Sequence, residues 1–262
     1  MRAEVARLDL RLRRRSVSGY AVGAGAYAVL IVALYPSFRS DASLDQLTQG
    51  NPTMAALFGL SGSLTSPAGW LNGNLYANAV PLFALLLTVG YGAAAVAGQN
   101  EDERLGWIAA LPLSRTSLLA QKMLALSVVS TPVPVVTLAA VLGGRYYDIR
   151  LGLGGLVGVT IGVALMSLDF GLLALALGCL TGSRGLALGV TAALAATSYV
   201  ISSLSGAVEW VHRLRHVSPI YWSVGQNQVE NGLGAGSLAA LVLSGVALGA
   251  LALWAFARLD LR

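Results

Sequence analysis

Six long apolar runs follow one another along the chain, separated by polar segments. Each run is close to the roughly 20 residues that an α-helix needs to cross the hydrocarbon core of a bilayer. The runs predict spans at about 17–35, 77–97, 118–142, 153–180, 186–205 and 236–257. We therefore expect an all-α polytopic membrane protein with six transmembrane helices, in which residues 1–262 form a single transmembrane domain.

The third and fourth runs contain prolines and glycines that predict a helix break and close helix packing. Pro132 and Pro134 lie in the third run, and because proline removes a helical hydrogen bond and clashes with the preceding turn, they predict a kink or break. The fourth apolar stretch, 151–180, is long for one straight span, which indicates tilt, protrusion or an interruption. Its glycines recur every four residues, at Gly154, Gly158 and Gly162. This spacing predicts a flat face for close helix packing.

The segment before the first run is basic on one side and apolar on the other. Six arginines precede Ser16, while Val5, Leu8 and Leu12 recur at helical spacing. A helix of this kind lies in the plane of the membrane interface, with its arginines near anionic headgroups. We predict such an interfacial helix at 1–16; a solvated basic tail that only sets orientation is the alternative.

The composition excludes a soluble domain. Of the 262 residues, 56% are hydrophobic and only 11% are charged, and the mean hydropathy is +0.70, whereas a soluble domain carries about 25% charged residues. With both termini inside, twelve of the 17 basic residues face the cytoplasm, in line with the positive-inside rule. We expect a multi-pass protein of the cell membrane, in a bacterium the cytoplasmic membrane, with N- and C-termini in the cytoplasm.

A polar segment at 99–117 interrupts the apolar pattern between the second and third runs. Four charged residues, Glu101 to Arg104, are followed by an apolar piece from Leu105 to Ile108. The spacing predicts a short helix that ends before Pro112, because the residue before a proline is biased away from α geometry. Ser114 is then placed to cap the next helix. A short helix with one apolar side suits docking into a groove of a cytosolic partner; a loop whose charges only keep it in water is the alternative.

At this segment the sequence resembles a known family. The residues Glu103-x-x-Gly106, then Leu111-Pro112-x-Ser114-Arg115, then Lys122 are similar to the cytoplasmic loop of type-2 ATP-binding-cassette (ABC) permeases. Further along, Ser218-Pro219-Ile220-Tyr221 is similar to a piece of that family's outer loop. One departure is the tryptophan that follows Gly106, where a small or hydroxyl residue is more usual. The resemblance implies six spans, cytoplasmic termini and a coupling helix after the second span that contacts an ATPase.

The resemblance also implies which residues couple the chain to that ATPase. They are Glu101, Glu103, Arg104, Leu105, Gly106, Trp107, Ile108, Pro112 and Arg115. The implied function is that of a permease subunit of an exporter, which moves a hydrophobic or amphipathic substrate (a drug or antibiotic, a lipid or a peptide) by alternating access. The implied partners are ABC ATPase subunits, a second permease chain, identical or related, and the lipid bilayer.

The chain itself is not expected to be an enzyme. It lacks the G-x-x-x-x-G-K-[ST] phosphate loop, so it does not bind ATP by that route. ATP and Mg are expected on the separate ATPase, and we expect this chain to bind no cofactor, metal or nucleic acid.

Asp169 is the polar residue that stands out inside an apolar run. An ionised carboxylate is costly there and often functional, so a substrate or proton role is one interpretation. The other is a protonated or hydrogen-bonded carboxyl at a helix interruption, satisfied by Ser167 or by a serine or threonine of a neighbouring span. His212 and His216 lie four residues apart in an outer loop, which favours a solvated helix over a metal site. Cys179 lies in an apolar run and is expected to be an inert packing thiol.

Two other classes of function remain open. A membrane sensor or immunity subunit that transports nothing is the main alternative. An intramembrane enzyme would need a catalytic set at one depth, whereas the chain has no H-E-x-x-H or G-x-S-x-G and both of its histidines lie in a loop. An ATPase that co-purifies with the chain would favour the transporter over both.

Overall fold

The computed structural model describes residues 4–39, 63–102 and 114–259. Within these ranges, six helices are long and apolar enough to cross a membrane. They are α1 (Glu4–Phe38), α2 (Pro67–Glu101), α3 (Arg115–Tyr147), α4 (Leu153–Thr181), α5 (Arg184–Leu204) and α9 (Ala235–Ala257). Three short helices lie between α5 and α9, namely α6 (Glu209–Leu214), α7 (Pro219–Val224) and α8 (Gln228–Asn231). No strand occurs in the described ranges, and the prediction of an all-α protein with six apolar helices is confirmed.

α4 is the central helix of the bundle. It packs against α2, α3, α5, α7, α8 and α9, and together with α2 it buries the largest share of its apolar surface. Its 29 residues form a helix without an interruption. The helix is about 44 Å long, which is more than the roughly 30 Å thickness of the hydrocarbon core. By contrast, α5 and α9 leave most of their apolar surface uncovered by the chain. Such surfaces require lipid or another apolar partner.

α1 is a single helix that continues through residue 16. Its N-terminal part packs on α3, where the Val5 backbone N–H donates to Oε1 of Gln121 at 2.9 Å and Asp9 is buried. Leu8 and Leu12, predicted to share an apolar face with Val5, are instead 51% and 73% exposed. α1 has no break at residue 16, and its buried face follows its contact with α3; the interfacial helix at 1–16 stays a prediction.

α3 is interrupted where the prolines predict. An α-helix from Arg115 to Val129 ends, and a second begins at Pro132. Proline fits the first turn of a helix because the backbone N–H that it lacks has no partner there. Between the two, the hydroxyl and the backbone N–H of Thr131 both donate to the backbone oxygen of Val128, at 2.9 Å and 3.4 Å. They satisfy the carbonyl to which Pro132 has no backbone N–H to donate. The predicted break is confirmed.

The glycine face of α4 differs from the predicted one. Ideal Cβ atoms built on Gly155, Gly158 and Gly162 would lie 2.2 Å, 2.4 Å and 2.9 Å from backbone atoms of Val229, Leu233 and Ser223. At Gly154, nothing lies within 4 Å. The prediction that included Gly154 is wrong, because the partners are the short helices α7 and α8 and the chain after α8 rather than one long helix aligned with the four-residue repeat.

Candidate coupling site

One end of the bundle gathers the start of α1, the end of α2, the start of α3, the α4–α5 turn and the end of α9. We call this end, defined by Asp9, Gln99, Glu101, Arg115 and Lys122, the polar end. The segment 103–113 begins and finishes here. Seven of the residues predicted to couple to an ATPase lie outside the described residues: Glu103, Arg104, Leu105, Gly106, Trp107, Ile108 and Pro112. The other two, Glu101 and Arg115, are described.

Glu101 joins the end of α2 to the start of α5. Its Oε1 accepts a hydrogen bond from the Arg184 backbone N–H at 2.8 Å. Arg184 is the first residue of α5, and Ser183 caps the same helix through the Leu186 N–H. A carboxylate is favourable at this position because the first N–H groups of a helix have no partner within it and carry partial positive charge. Glu101 therefore holds the α4–α5 turn beside one flank of the segment 103–113.

Arg115 joins the start of α3 to the chain that follows α9. Its guanidinium donates from Nη1 to the backbone oxygen of Leu259 at 3.0 Å. Ser114 caps α3 as predicted, since its hydroxyl accepts from the Ser117 backbone N–H at 3.2 Å. The second flank of the segment is thus fixed by a helix cap and by a bond to the C-terminal end of the bundle.

Lys122 is the centre of the polar end. It is the only lysine of the chain, and its side chain has no exposed surface. Its Nζ donates to Oε1 of Gln99 at 2.7 Å and to Oδ2 of Asp9 at 3.3 Å. The Tyr91 hydroxyl donates to the same Asp9 oxygen at 2.9 Å. Lys122 therefore links α3 to α1 and to α2 at once.

This arrangement was only partly foreseen from the sequence. Lys122 is part of the family resemblance, whereas no local pattern points to Asp9, Tyr91 or Gln99 as its partners. The structure buries Lys122 because a carboxylate 113 residues away compensates its charge. One signal was present: Asp9 is one of two acidic residues in a segment that otherwise carries six arginines.

The buried ion pair is not a simple source of stability. Removing two charges from water costs several kcal/mol per ion, and their attraction roughly offsets that cost. Breaking such a pair by removing one partner, however, costs about 3–5 kcal/mol, because a buried charge is left uncompensated. Loss of either partner alone should therefore destabilise this contact of α1 with α3.

Asp169 lies away from the polar end. Ten residues of α4 separate it from Cys179, a rise of about 15 Å. Its Oδ2 accepts a hydrogen bond from the Ser244 hydroxyl of α9 at 2.6 Å, so a neighbouring span supplies the partner, as one interpretation predicted. The predicted helix interruption is wrong, and Ser167 instead donates to the backbone oxygen of Ala164. The structure does not bring Asp169 together with any residue of the predicted coupling set.

An apolar groove of about 770 Å³ lies between α2 and α5. A volume of this size is within the range of small-molecule sites, about 300–1,000 Å³. Its walls are formed mainly by aliphatic side chains, among them Leu82, Leu86, Val89, Leu188, Ala192 and Val200. Polar groups are present where Tyr199 donates to Oδ1 of Asn78. The groove offers a long apolar surface and one hydrogen-bonding pair.

Comparison with protein-family models and with curated proteins found no match for the chain. Within the described ranges, no group of three His, Cys, Asp or Glu side chains is placed to hold a metal ion. His212 and His216 lie on α6 and in the turn after it, where Arg215 Nε donates to Nε2 of His216 at 3.2 Å.

Proposed function

We propose that this chain is the permease subunit of a type-2 ABC exporter, driven by a separate ATPase. The observation that carries the proposal is the set of bonds at the two flanks of the segment 99–117. Glu101 bonds to the start of α5, Arg115 to the chain after α9, and Lys122 to α1. A rigid displacement of the segment therefore reaches α1, α5 and the chain after α9, besides α2 and α3, between which the segment lies.

The polar end faces the cytoplasm in this proposal. An even number of spans puts both termini on one side, and the basic residues favour the cytoplasmic side for them. Leu105, Trp107 and Ile108 form the apolar anchor on the ATPase, while Glu103 and Arg104 make charged contacts with it. Glu101 and Arg115 are exposed but already bonded within the chain, so their role is to hold the two flanks in place.

The groove between α2 and α5 supports a hydrophobic or amphipathic substrate. A substrate that partitions into the bilayer reaches such a groove sideways, and only a few polar contacts are needed to orient it. The exposed apolar face of α5 supports contact with a second permease chain, identical or related. Closure of the ATPase pair then shifts the helices as rigid bodies and alternates access to the substrate path.

Two measurements test the proposal. The tagged chain is purified from the membranes of its own host, and the proteins that accompany it are identified by mass spectrometry; an ABC ATPase is expected. The complex is then reconstituted in liposomes and assayed for ATP-driven export of a fluorescent amphipathic compound. We expect Trp107→Ala and Gly106→Pro to reduce transport while ATP hydrolysis continues, because both change the anchor and not the nucleotide site.

A matched control separates coupling from folding. Trp210→Ala removes the same side chain at an exposed position on α6 and should leave transport unchanged. Wild-type transport by both Trp107→Ala and Gly106→Pro would refute the coupling role of the segment. A chain that purifies with no ATPase would instead support the sensor or immunity alternative.

A further inference from the structure

We propose that Asp9 is a two-position switch, paired with Lys122 in the described state and with Arg13 in a second state. The exchange would give α1 two stable positions against α3 at the polar end. The exchange is a property of the chain by itself. An ATPase at the polar end would drive it, and that step alone rests on the proposed function.

The first observation is that Lys122 has a second anchor. Its Nζ lies 2.7 Å from the Gln99 side-chain oxygen and 3.3 Å from Asp9. Gln99 and Lys122 stand on the two sides of the segment 103–113, at the end of α2 and near the start of α3. If these two helix ends move together, Lys122 keeps its bond to Gln99 while its distance to Asp9 grows.

The second observation is that Arg13 is within reach of Asp9, whose carboxylate would lose its Lys122 partner in such a movement. Asp9 and Arg13 are four residues apart on α1, a spacing that places an acidic and a basic side chain side by side. The Arg13 guanidinium lies over the Tyr91 ring, 5.3 Å from its centroid, and the Tyr91 hydroxyl donates to Asp9. One tyrosine thus contacts both members of the alternative pair.

The third observation is energetic. A buried carboxylate without a compensating charge is costly, so a separation of α1 from α3 would be opposed strongly if Lys122 were the only cation available. With Arg13 as a replacement, the carboxylate is compensated in both positions. Two arrangements of similar free energy, separated by an intermediate with an unpaired charge, form the kind of bistable contact that converts a small displacement into a discrete change.

The two cations suit their different roles. Lysine has a compact ammonium group on a flexible stem, which can remain with Gln99 as the helices move. Arginine has a planar group that stacks on an aromatic ring while it donates hydrogen bonds at its edge. Among the described residues, the ion pair of Asp9 is the one with Lys122, so the structure represents the first of the two positions.

The test measures the distance between α1 and α3 in the full chain, without any ATPase. Spin labels are placed at Leu8→Cys and Ala120→Cys, both exposed positions, in a Cys179→Ala background that removes the only native thiol. The labelled protein is held in lipid nanodiscs, and the distance distribution is recorded by pulsed electron paramagnetic resonance. The wild type should be dominated by one distance with a minor second one.

The two partner variants should act in opposite directions. Lys122→Met removes the partner of the first position, so the ratio of the second distance to the first should rise at least about tenfold. Arg13→Met removes the partner of the second position, so the minor distance should disappear. Arg11→Met, an exposed arginine of the same helix, is the control and should change nothing. An unchanged distribution in Lys122→Met, or an equal shift in the Arg11 and Arg13 variants, would overturn the switch.

A double variant that removes the whole buried pair tests the carboxylate without leaving Lys122 uncompensated. Because both buried charges are absent, Asp9→Asn combined with Lys122→Met should fold and populate both distances with little preference. If the double variant instead retains the wild-type distribution, the carboxylate does not set the position of α1 and the proposal fails. If the distances follow the predictions but the chain binds no ATPase, the switch stands and the transporter proposal is refuted. If the complex exports substrate with ATP but the variants leave the distances unchanged, the transporter proposal stands and the switch is refuted.

Discussion

The contact between α4 and the chain after α8 allows a sharp test of the packing. An alanine Cβ at Gly158 would lie 2.4 Å from the backbone nitrogen of Leu233, about 1 Å inside the 3.4 Å at which ordinary van der Waals contact begins. The obstacle is backbone, which cannot turn aside as the end of a long side chain can. Gly158→Ala must therefore push the chain around Leu233 away from α4.

The expected cost follows from the size of this displacement. Overpacking a well-filled interior costs roughly 1–3 kcal/mol, which is roughly a 5- to 150-fold change in the equilibrium constant of unfolding. In a chain of this size, each kcal/mol lowers Tm by roughly 2–4 °C. We therefore expect Gly158→Ala to lower Tm by roughly 2–12 °C.

Thermal unfolding of the purified protein in nanodiscs measures the effect, and Gly154→Ala is its control. Gly154 lies one helical turn earlier on α4 and has nothing within 4 Å, so the same substitution there should change the free energy of unfolding by less than about 0.5 kcal/mol. If the two variants melt at the same temperature, the close approach of the chain after α8 to α4 is refuted.

Three further outcomes are expected. Gly92→Ala would place a Cβ 2.1 Å from the Gly171 carbonyl oxygen and should lower Tm by a similar amount in thermal unfolding. Its control, Gly90→Ala, has nothing within 4 Å and should leave Tm unchanged. Asp169→Asn keeps an oxygen that accepts from the Ser244 hydroxyl, so stability and transport should stay at wild-type values across the physiological pH range, and a pH-dependent loss of transport would reveal a proton role. Ser244→Ala removes the donor to a buried carboxyl and should cost roughly 1–3 kcal/mol of unfolding free energy, measured by denaturant titration.

Local patterns predicted the elements that depend on neighbouring residues in the sequence. The six apolar helices follow from run length, the break in α3 from Pro132, and the start of α3 from the Ser114 cap. The features that were missed depend on partners far along the chain. Asp9 and Lys122 are 113 residues apart, and neither residue alone predicts that the other will lie beside it. The packing of Gly155 depends in the same way on the position of α8, which lies far along the chain.

The burial of Lys122 also allows opening of the polar end to be measured by chemical modification of the protein. Apart from the α-amine at the start of the chain, Lys122 carries the only primary amine, and its side chain has no surface open to a reagent. An acylating reagent can therefore modify this position only in molecules in which α1, α2 and α3 have parted at the polar end. The rate of acylation, read by mass spectrometry on an unlabelled protein, counts how often that end opens.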